Sequence, residues 1–285
     1  MKISGFTFIK NGQILGYPFL ESIQSILPIV DEFVINVGES EDETLDMIKS
    51  INNIKIRIIK SKWSDKMQDR GFVYGQQKMV AQYNCTGDWA FYIEGDEIYH
   101  EQDLEVLVKS MKKHENDKNV EALVVNFYHF YGNSNTILNS PGWYRSEARI
   151  IKTSVRSYAP DGLFWVILDS NKKGRYPKAK HVGIECYHYG WVRSEAEMNL
   201  KSNHVNKYWG HSPVKVDYSQ IDHLILQEFQ GTHPKIVKKW LPTEEGLYET
   251  DLSYCISSKQ RKHRLMITFE KLFGLDLSKK HYILV

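Results

Sequence analysis

Four residues, Glu94-Gly95-Asp96-Glu97, hold three carboxylates in the space of one turn. They cut short an apolar, β-prone run at residues 89–93. A buried strand that ends this way carries its last side chains to the lip of an α/β sheet, where ligands of open α/β folds bind. In extended chain Glu94 and Asp96 share a face. Hard oxygen donors so placed suit Mg²⁺ or Mn²⁺, which hold phosphate oxygens while keeping several waters. A polar turn after a strand would use the same residues without metal, so the rest of the chain has to decide.

Three further stretches carry reactive side chains. Cys186-Tyr187-His188-Tyr189-Gly190-Trp191 sets a histidine between two tyrosines. Such a histidine is commonly a satisfied core residue, but beside Asp96 it would complete the carboxylate–imidazole set typical of Mn²⁺. Trp143, Trp165 and Trp191 could stack on a sugar face or simply pack the interior. At residues 143–151 extended chain puts Arg145, Glu147 and Arg149 on one face. That row reads as solvated salt bridges of little energetic weight, or as a general base, Glu147, between arginines that receive phosphate or an acidic acceptor. Pro160-Asp161-Gly162 is a turn signal. Asp161 is then a turn aspartate, or an acceptor-side base on a loop over the sheet edge. Finally, Gly38 to Thr44 closes another strand. Ser40 or Asp42 can cap the helix that follows, while Gly38 and Glu39 fall at the same edge as Glu94 and Asp96.

The elements that must position these groups alternate strand and helix. Strands are expected at 3–9, 33–37, 54–59 and 89–93, and helices at 17–27, 44–51, 72–83 and 103–111. In the first helix Phe19, Leu20, Ile23, Ile26 and Leu27 recur at helical spacing. Repeated βα units predict a mostly parallel sheet covered by helices. After Glu121 two β runs, 122–131 and 143–152, follow without a helix, which predicts antiparallel or added strands. Beyond Arg193 the chain reads as helical, punctuated by Pro213, Pro234 and Pro242. A last helix at 258–273 gathers Leu265, Met266, Phe269, Leu272 and Phe273 on one side, behind a basic start of Lys259, Arg261, Lys262 and Arg264. That side is expected to pack on the main domain or to make peripheral contact with an anionic membrane. The domains expected are 1–192 and a helical C-terminal extension, 193–285.

Composition narrows the class. The chain has 285 residues, 25% charged and 42% hydrophobic, as in ordinary soluble globular proteins. A formal net charge of +2 is too small to argue for nucleic acid as the main partner. Cys85, Cys186 and Cys255 form no C-x-x-C pair, so neither a disulfide framework nor a zinc ribbon is indicated, and a reducing compartment is favoured. No segment approaches the roughly 20 apolar residues that span a bilayer. The opening apolar run breaks at Lys10-Asn11-Gly12 without a small-residue cleavage site, and reads as a first strand rather than a signal peptide. A cytoplasmic location is expected.

Taken in order, these pieces resemble the family 2 glycosyltransferases of the GT-A fold, over roughly residues 3–192. The carriers are Phe6 to Asn11, the Gly38 to Thr44 turn, Thr86-Gly87-Asp88-Trp89, Glu94-Gly95-Asp96-Glu97, His129-Phe130-Tyr131-Gly132 and His188 to Arg193. The resemblance implies a Rossmann-type α/β domain that moves a sugar from a nucleotide-sugar donor to a glycan or lipid-linked hydroxyl acceptor, with inversion, in surface-polysaccharide or glycan assembly. It implies a Mn²⁺ or Mg²⁺ ion held by Asp96, with His188 as an additional contact. Glu94 stands where the family's first acidic residue is usually aspartate, and counts with Phe8, Glu39, Arg70 and Gln77 as a donor contact. For the base, Asp161 fits by position and Glu147 by chemistry. The rival readings are a nucleotidyltransferase of similar fold, which would need a glycine-rich, lysine-bearing loop after the first strand, and a non-catalytic carbohydrate-binding protein.

Overall fold

The computed structural model describes residues 1–212, 214–242 and 246–285, so Pro213, one of the expected breaks, lies outside the described residues. The first part of the chain alternates: β1 (Ile3–Ile9), α1 (Phe19–Ile26), β2 (Glu32–Gly38), α2 (Thr44–Ser50), β3 (Ile56–Ser61), α3 (Phe72–Gln82), β4 (Trp89–Tyr92), β5 (Glu97–Tyr99) and α4 (Leu104–His114). Strands then dominate: β6 (Ala122–Tyr131), β7 (Asn133–Leu138), β8 (Ser146–Lys152), β9 (Ser157–Tyr158), β10 (Val166–Leu168), β11 (Gly174–Arg175) and β12 (Lys178–Trp191). The remainder holds α5 (Glu195–Trp209), β13 (Leu226–Glu228), α6 (Ser258–Phe273) and β14 (Ile283–Leu284).

One wing of the main sheet, β4-β1-β2-β3, is parallel throughout. β8 then pairs antiparallel with both β4 and β6, and β7 antiparallel with β6. This is the change of texture expected after Glu121. The parallel strands are apolar on both faces because helices cover both. Phe33, Ile35, Val37 and Phe91 pack on one side with Ile23, Ile26 and Leu107 of α1 and α4. Phe6, Val34 and Tyr92 pack on the other with Met79 and Ala81 of α3. Two strands start later than their apolar runs suggest. At β3 the Asn53 side chain accepts the Lys55 N–H (3.0 Å), holding a turn that leaves Ile54 fully exposed. At β8 the Ser140 carbonyl accepts the Trp143 N–H (3.0 Å), which keeps Trp143 to Arg145 out of the strand.

Residues 193–285 contain α5 and α6 and also two short strands that extend the sheet: β13 pairs with β7, and β14 with β12. Among the described residues no helix is long and apolar enough to cross a membrane.

The row Arg145, Glu147 and Arg149 is neither a solvated stripe nor a base between free arginines. β8 lies inside the sheet, so Glu147 and Arg149 must find buried partners, and Arg145, just before the strand, finds one too. Arg145 donates twice to Glu270 (2.7 and 2.9 Å). Glu147, fully buried, is bonded to His281 Nδ1 at 2.6 Å. Arg149, also fully buried, grips Glu97 through Nε and Nη2 (2.6–3.0 Å), reaches Glu94 at 3.2 Å and donates to the Leu163 carbonyl at 3.0 Å. One guanidinium thus joins β8, β5 and the 161–164 loop. Replacing it strands Glu97 without a counter-charge, which typically costs about 3–5 kcal/mol. Arg149→Met is therefore expected to lower the free energy of unfolding by that amount, read as a lower urea midpoint at unchanged m-value. An unchanged midpoint would show that the carboxylates do not need the guanidinium.

Candidate functional site

β1 and β4 run parallel, β4 ending at Tyr92 opposite Phe6 while β1 continues to Ile9. The loops that leave them, the end of β12 and one face of α5 enclose a cavity of about 380 Å³, within the usual range for small-molecule sites. Phe8, Glu94, Asp96 and His188 line it. The two loops at its rim are laced together: Asn11 N–H donates to Ser40 Oγ (3.1 Å), and Ile14 N–H to Asp42 (2.8 Å). Asp42 also accepts the Thr44 N–H (3.0 Å) at the start of α2, while Ser40 does not cap that helix.

Asp96 and His188 meet because of strand register. β12 pairs with β5, placing His188 opposite Glu97, and with β6, placing His188 opposite His129. The Tyr189 N–H then donates to the Asp96 carbonyl (2.8 Å). On the side-chain side, Asp96 Oδ1 lies 3.7 Å from His188 Nε2 and Oδ2 lies 3.1 Å from Lys201 Nζ. Gly190 makes room: a Cβ there would sit 2.8 Å from both Asp96 Oδ2 and the His188 ring. Burial by itself would raise the Asp96 carboxyl, but nearby positive charge, led by the Lys201 ammonium that also donates to it, outweighs burial and holds it below the usual carboxylate range. Asp96 is a carboxylate at neutral pH.

The proton positions on the two histidines follow from their partners. The Tyr144 carbonyl can only accept, so His129 Nε2, 2.6 Å away, carries the hydrogen. His129 Nδ1 then accepts from His188 Nδ1–H at 3.0 Å. His188 Nε2 is left with its lone pair directed at Asp96. Burial pushes both imidazoles down, His129 to about 3, so both are neutral. Two lone pairs facing each other across 3.7 Å repel unless a positive group lies between them. A metal-binding histidine is commonly fixed in this way, its second nitrogen donating to a neighbour. The donor set therefore suits a divalent ion. Among the described residues no group of three or more His, Cys, Asp or Glu side chains converges, so phosphate and water would have to complete the coordination.

Glu94 is a different kind of acid. It shares Arg149 with Glu97, which takes most of the guanidinium contacts. Burial first, then the Glu97 charge, pushes its carboxyl up to about 8, so it is mostly protonated at neutral pH. A neutral carboxyl can donate to a phosphate or hydroxyl oxygen without repelling it.

The other expected contacts fall elsewhere. Glu39 is exposed, 3.9 Å from Lys62. Arg70 is exposed at a positive φ (45°) just before α3. Gln77 is turned toward the sheet, accepting from Asn36 Nδ2 (2.9 Å) and Ser61 Oγ (2.6 Å), because that side of α3 is buried. Glu147 is sealed in with His281 and does not line the cavity. Asp161 fulfils the turn: its Oδ1 accepts the N–H groups of Leu163 (2.8 Å) and Phe164 (3.4 Å), and its neighbours Gly162 and Leu163 do line the cavity. Of the three tryptophans, Trp191 lines it, whereas Trp165 is buried and donates to Gln82 (2.6 Å). What sequence reasoning missed is the opposite wall: Trp63, Tyr74, Tyr208 and Trp209, with Lys10, Lys201 and Lys207. A signal existed. Lys201, His204, Val205 and Tyr208 stand at i, i+3, i+4 and i+7, one stripe of α5.

The chain matches the family model for Glycosyl transferase family 2 over residues 18–197, and it belongs to that family. A mixed α/β sheet flanked by helices, of GT-A type, is the corresponding fold. No curated protein is a significant match. Among solved structures, S. aureus TarS 1–349 is 14% identical, with 54% of this chain and 48% of that one covered and a TM-score of 0.37. The same TarS fragment in complex with UDP-GlcNAc is 15% identical (54% and 46% covered, TM-score 0.37). TarS of S. aureus in longer form is 14% identical (70% and 38% covered, TM-score 0.40). The chain thus spans less than half the length of these relatives.

The proton assignments can be checked directly. ¹⁵N NMR is expected to show hydrogen on Nε2 of His129 and Nδ1 of His188, with the His129 ring uncharged at pH 6.5, where half of an ordinary histidine population is charged, and the His188 ring less charged than that. Because both pKa values are depressed in the fold, the stability they contribute is present above about 6.5 and lost as pH falls below it, for His129 down to about 3. His129→Phe should flatten that part of the stability–pH curve.

Proposed function

We propose that this protein transfers a sugar from a nucleoside-diphosphate sugar to a hydroxyl acceptor, and that Asp96 and His188 would hold a divalent cation beside the diphosphate. The observation that carries this reading is the pair of converging lone pairs, fixed by His129 and open to a cavity walled by aromatic rings and lysines. The aromatic wall of Phe8, Trp63, Tyr74, Tyr208 and Trp209 offers faces for a base or a sugar ring. Lys10, Lys201 and Lys207 supply positive charge for a diphosphate. Glu94, protonated, donates to the donor rather than repelling it. When bound, the cation would neutralise the charge that builds on the diphosphate leaving group. Family membership favours sugar transfer over nucleotidyl transfer or plain carbohydrate binding. Surface-polysaccharide or glycan assembly is the setting the family resemblance suggests.

For the base we favour Asp161 over Glu147. Two backbone N–H groups orient the Asp161 carboxyl through Oδ1 alone, and it is one peptide from the cavity wall. Glu147 has no path to an acceptor. Asp161 takes the acceptor hydroxyl's proton as that oxygen attacks the anomeric carbon. The bond to the diphosphate breaks as the new one forms, and a single displacement inverts configuration.

Titration calorimetry with a panel of nucleoside diphosphates, with and without Mn²⁺, tests the binding half. Wild type is expected to need Mn²⁺ for tight binding, and Asp96→Asn to lose that dependence with its circular dichroism unchanged. His129→Phe should weaken the metal about 10–100-fold. Nucleotide binding indifferent to metal in wild type would remove the cation from the proposal. For the chemical half, Asp161→Asn is expected to lower kcat by about 10²–10⁴ while keeping nucleotide affinity, whereas Glu147→Gln should cost stability rather than turnover. A fully active Asp161→Asn enzyme would place the base elsewhere.

A further inference from the structure

Helix α6 turns an apolar stripe away from the protein. Leu265, Phe269, Leu272 and Phe273, at i, i+4, i+7 and i+8, are between 55% and 72% exposed. Past the Gly274 cap the stripe continues into Leu275 and Leu277. Single exposed leucines are ordinary, but a contiguous stripe marks an interaction surface. The helix is not loosely placed. Its opposite side is clamped to the domain by Arg145 on Glu270, by Arg264 on Asp222 (2.7 and 2.8 Å), and by Ile267 packed beside Tyr131 and Leu226. The mount fixes which face looks out, and it is the apolar one.

The charge on that face has one sign. Arg261 and Lys262 precede Leu265 by one turn and so lie on the same side, with Lys259 on the flank. Among the described residues no carboxylate pairs with any of these three. The only acid in α6, Glu270, is buried under Arg145. A second copy of the chain docking here would bring like charges together. An anionic lipid surface complements both properties at once.

We propose that this face of α6 docks the protein on an anionic membrane, the leucines and phenylalanines entering the headgroup–acyl boundary and the three cations lying at the phosphate level. Arg145, the residue that clamps the helix, follows the cavity residue Tyr144, so docking would hold the cavity near the lipid surface. The docking itself does not depend on the transferase reading.

Flotation of the full chain with vesicles tests this. Binding is expected to vesicles of phosphatidylcholine with about one-third phosphatidylglycerol, and to fall steeply with neutral vesicles or at 0.5 M salt, roughly as the Debye length shrinks. Reversing three charges (Lys259→Glu, Arg261→Glu, Lys262→Glu) should weaken binding on the order of a hundredfold, from roughly fivefold per cation. Leu265→Ser with Phe269→Ser should weaken it at least about tenfold, with helicity retained by circular dichroism. Both losses would support the proposal. It would be overturned by absence of wild-type flotation, by equal flotation of the serine variant, or by a wild-type dimer in sedimentation that the serine variant abolishes. The last result would assign the face to a second copy.

Discussion

The pairing of β12 with two partners is the constraint on which the site depends. β12 runs antiparallel to β5 and parallel to β6, so His188 stands opposite Glu97 on one side and His129 on the other. A slip of one residue would turn the His188 ring to the other face of the sheet. The hydrogen-bond chain from the Tyr144 carbonyl through His129 would then be lost, and no lone pair would face Asp96. The register is itself secured by Tyr187 and Tyr189, whose rings pack with Phe130 in a separate apolar cluster. Aromatic packing on one face of β12 thus fixes polar chemistry on the other.

A second theme is the unequal division of charge around Arg149. Three acids follow one another at the end of β4, yet they meet different fates. Glu97 takes the buried guanidinium, Asp96 takes Lys201, and Glu94 is left to keep a proton. Neighbours with identical chemistry become a structural anchor, an anionic donor and a neutral hydrogen-bond donor. Burial alone would drive Glu94 and Asp96 toward the neutral form. The placement of two cations decides which of them resists.

The expectation that α6 uses its apolar side for packing illustrates a limit of periodicity. The spacing of Leu265, Phe269, Leu272 and Phe273 says that they share a face, and the helix bounds at residues 258–273 agree with the structure. Spacing does not say which way the face points. Here Glu270 and Arg264 made the decision, because buried or half-buried partners on the domain satisfied their charges.

Sequence by itself determined the local elements. The βα alternation, the loss of parallel order after Glu121, the carboxylates at the end of β4 and the final helix are all written in short-range patterns of apolarity and turn residues. Phe8, Asp96 and His188, expected at the site from their sequence positions and the family resemblance, line one cavity. Only the tertiary structure decided which distant groups meet. His129 beside His188, Lys201 on Asp96, the aromatic wall from α3 and α5, and the withdrawal of Glu147 and Gln77 into the interior all depend on strand register and on which helix face is covered. Those are long-range choices, settled by the packing of the whole sheet rather than by any window of residues.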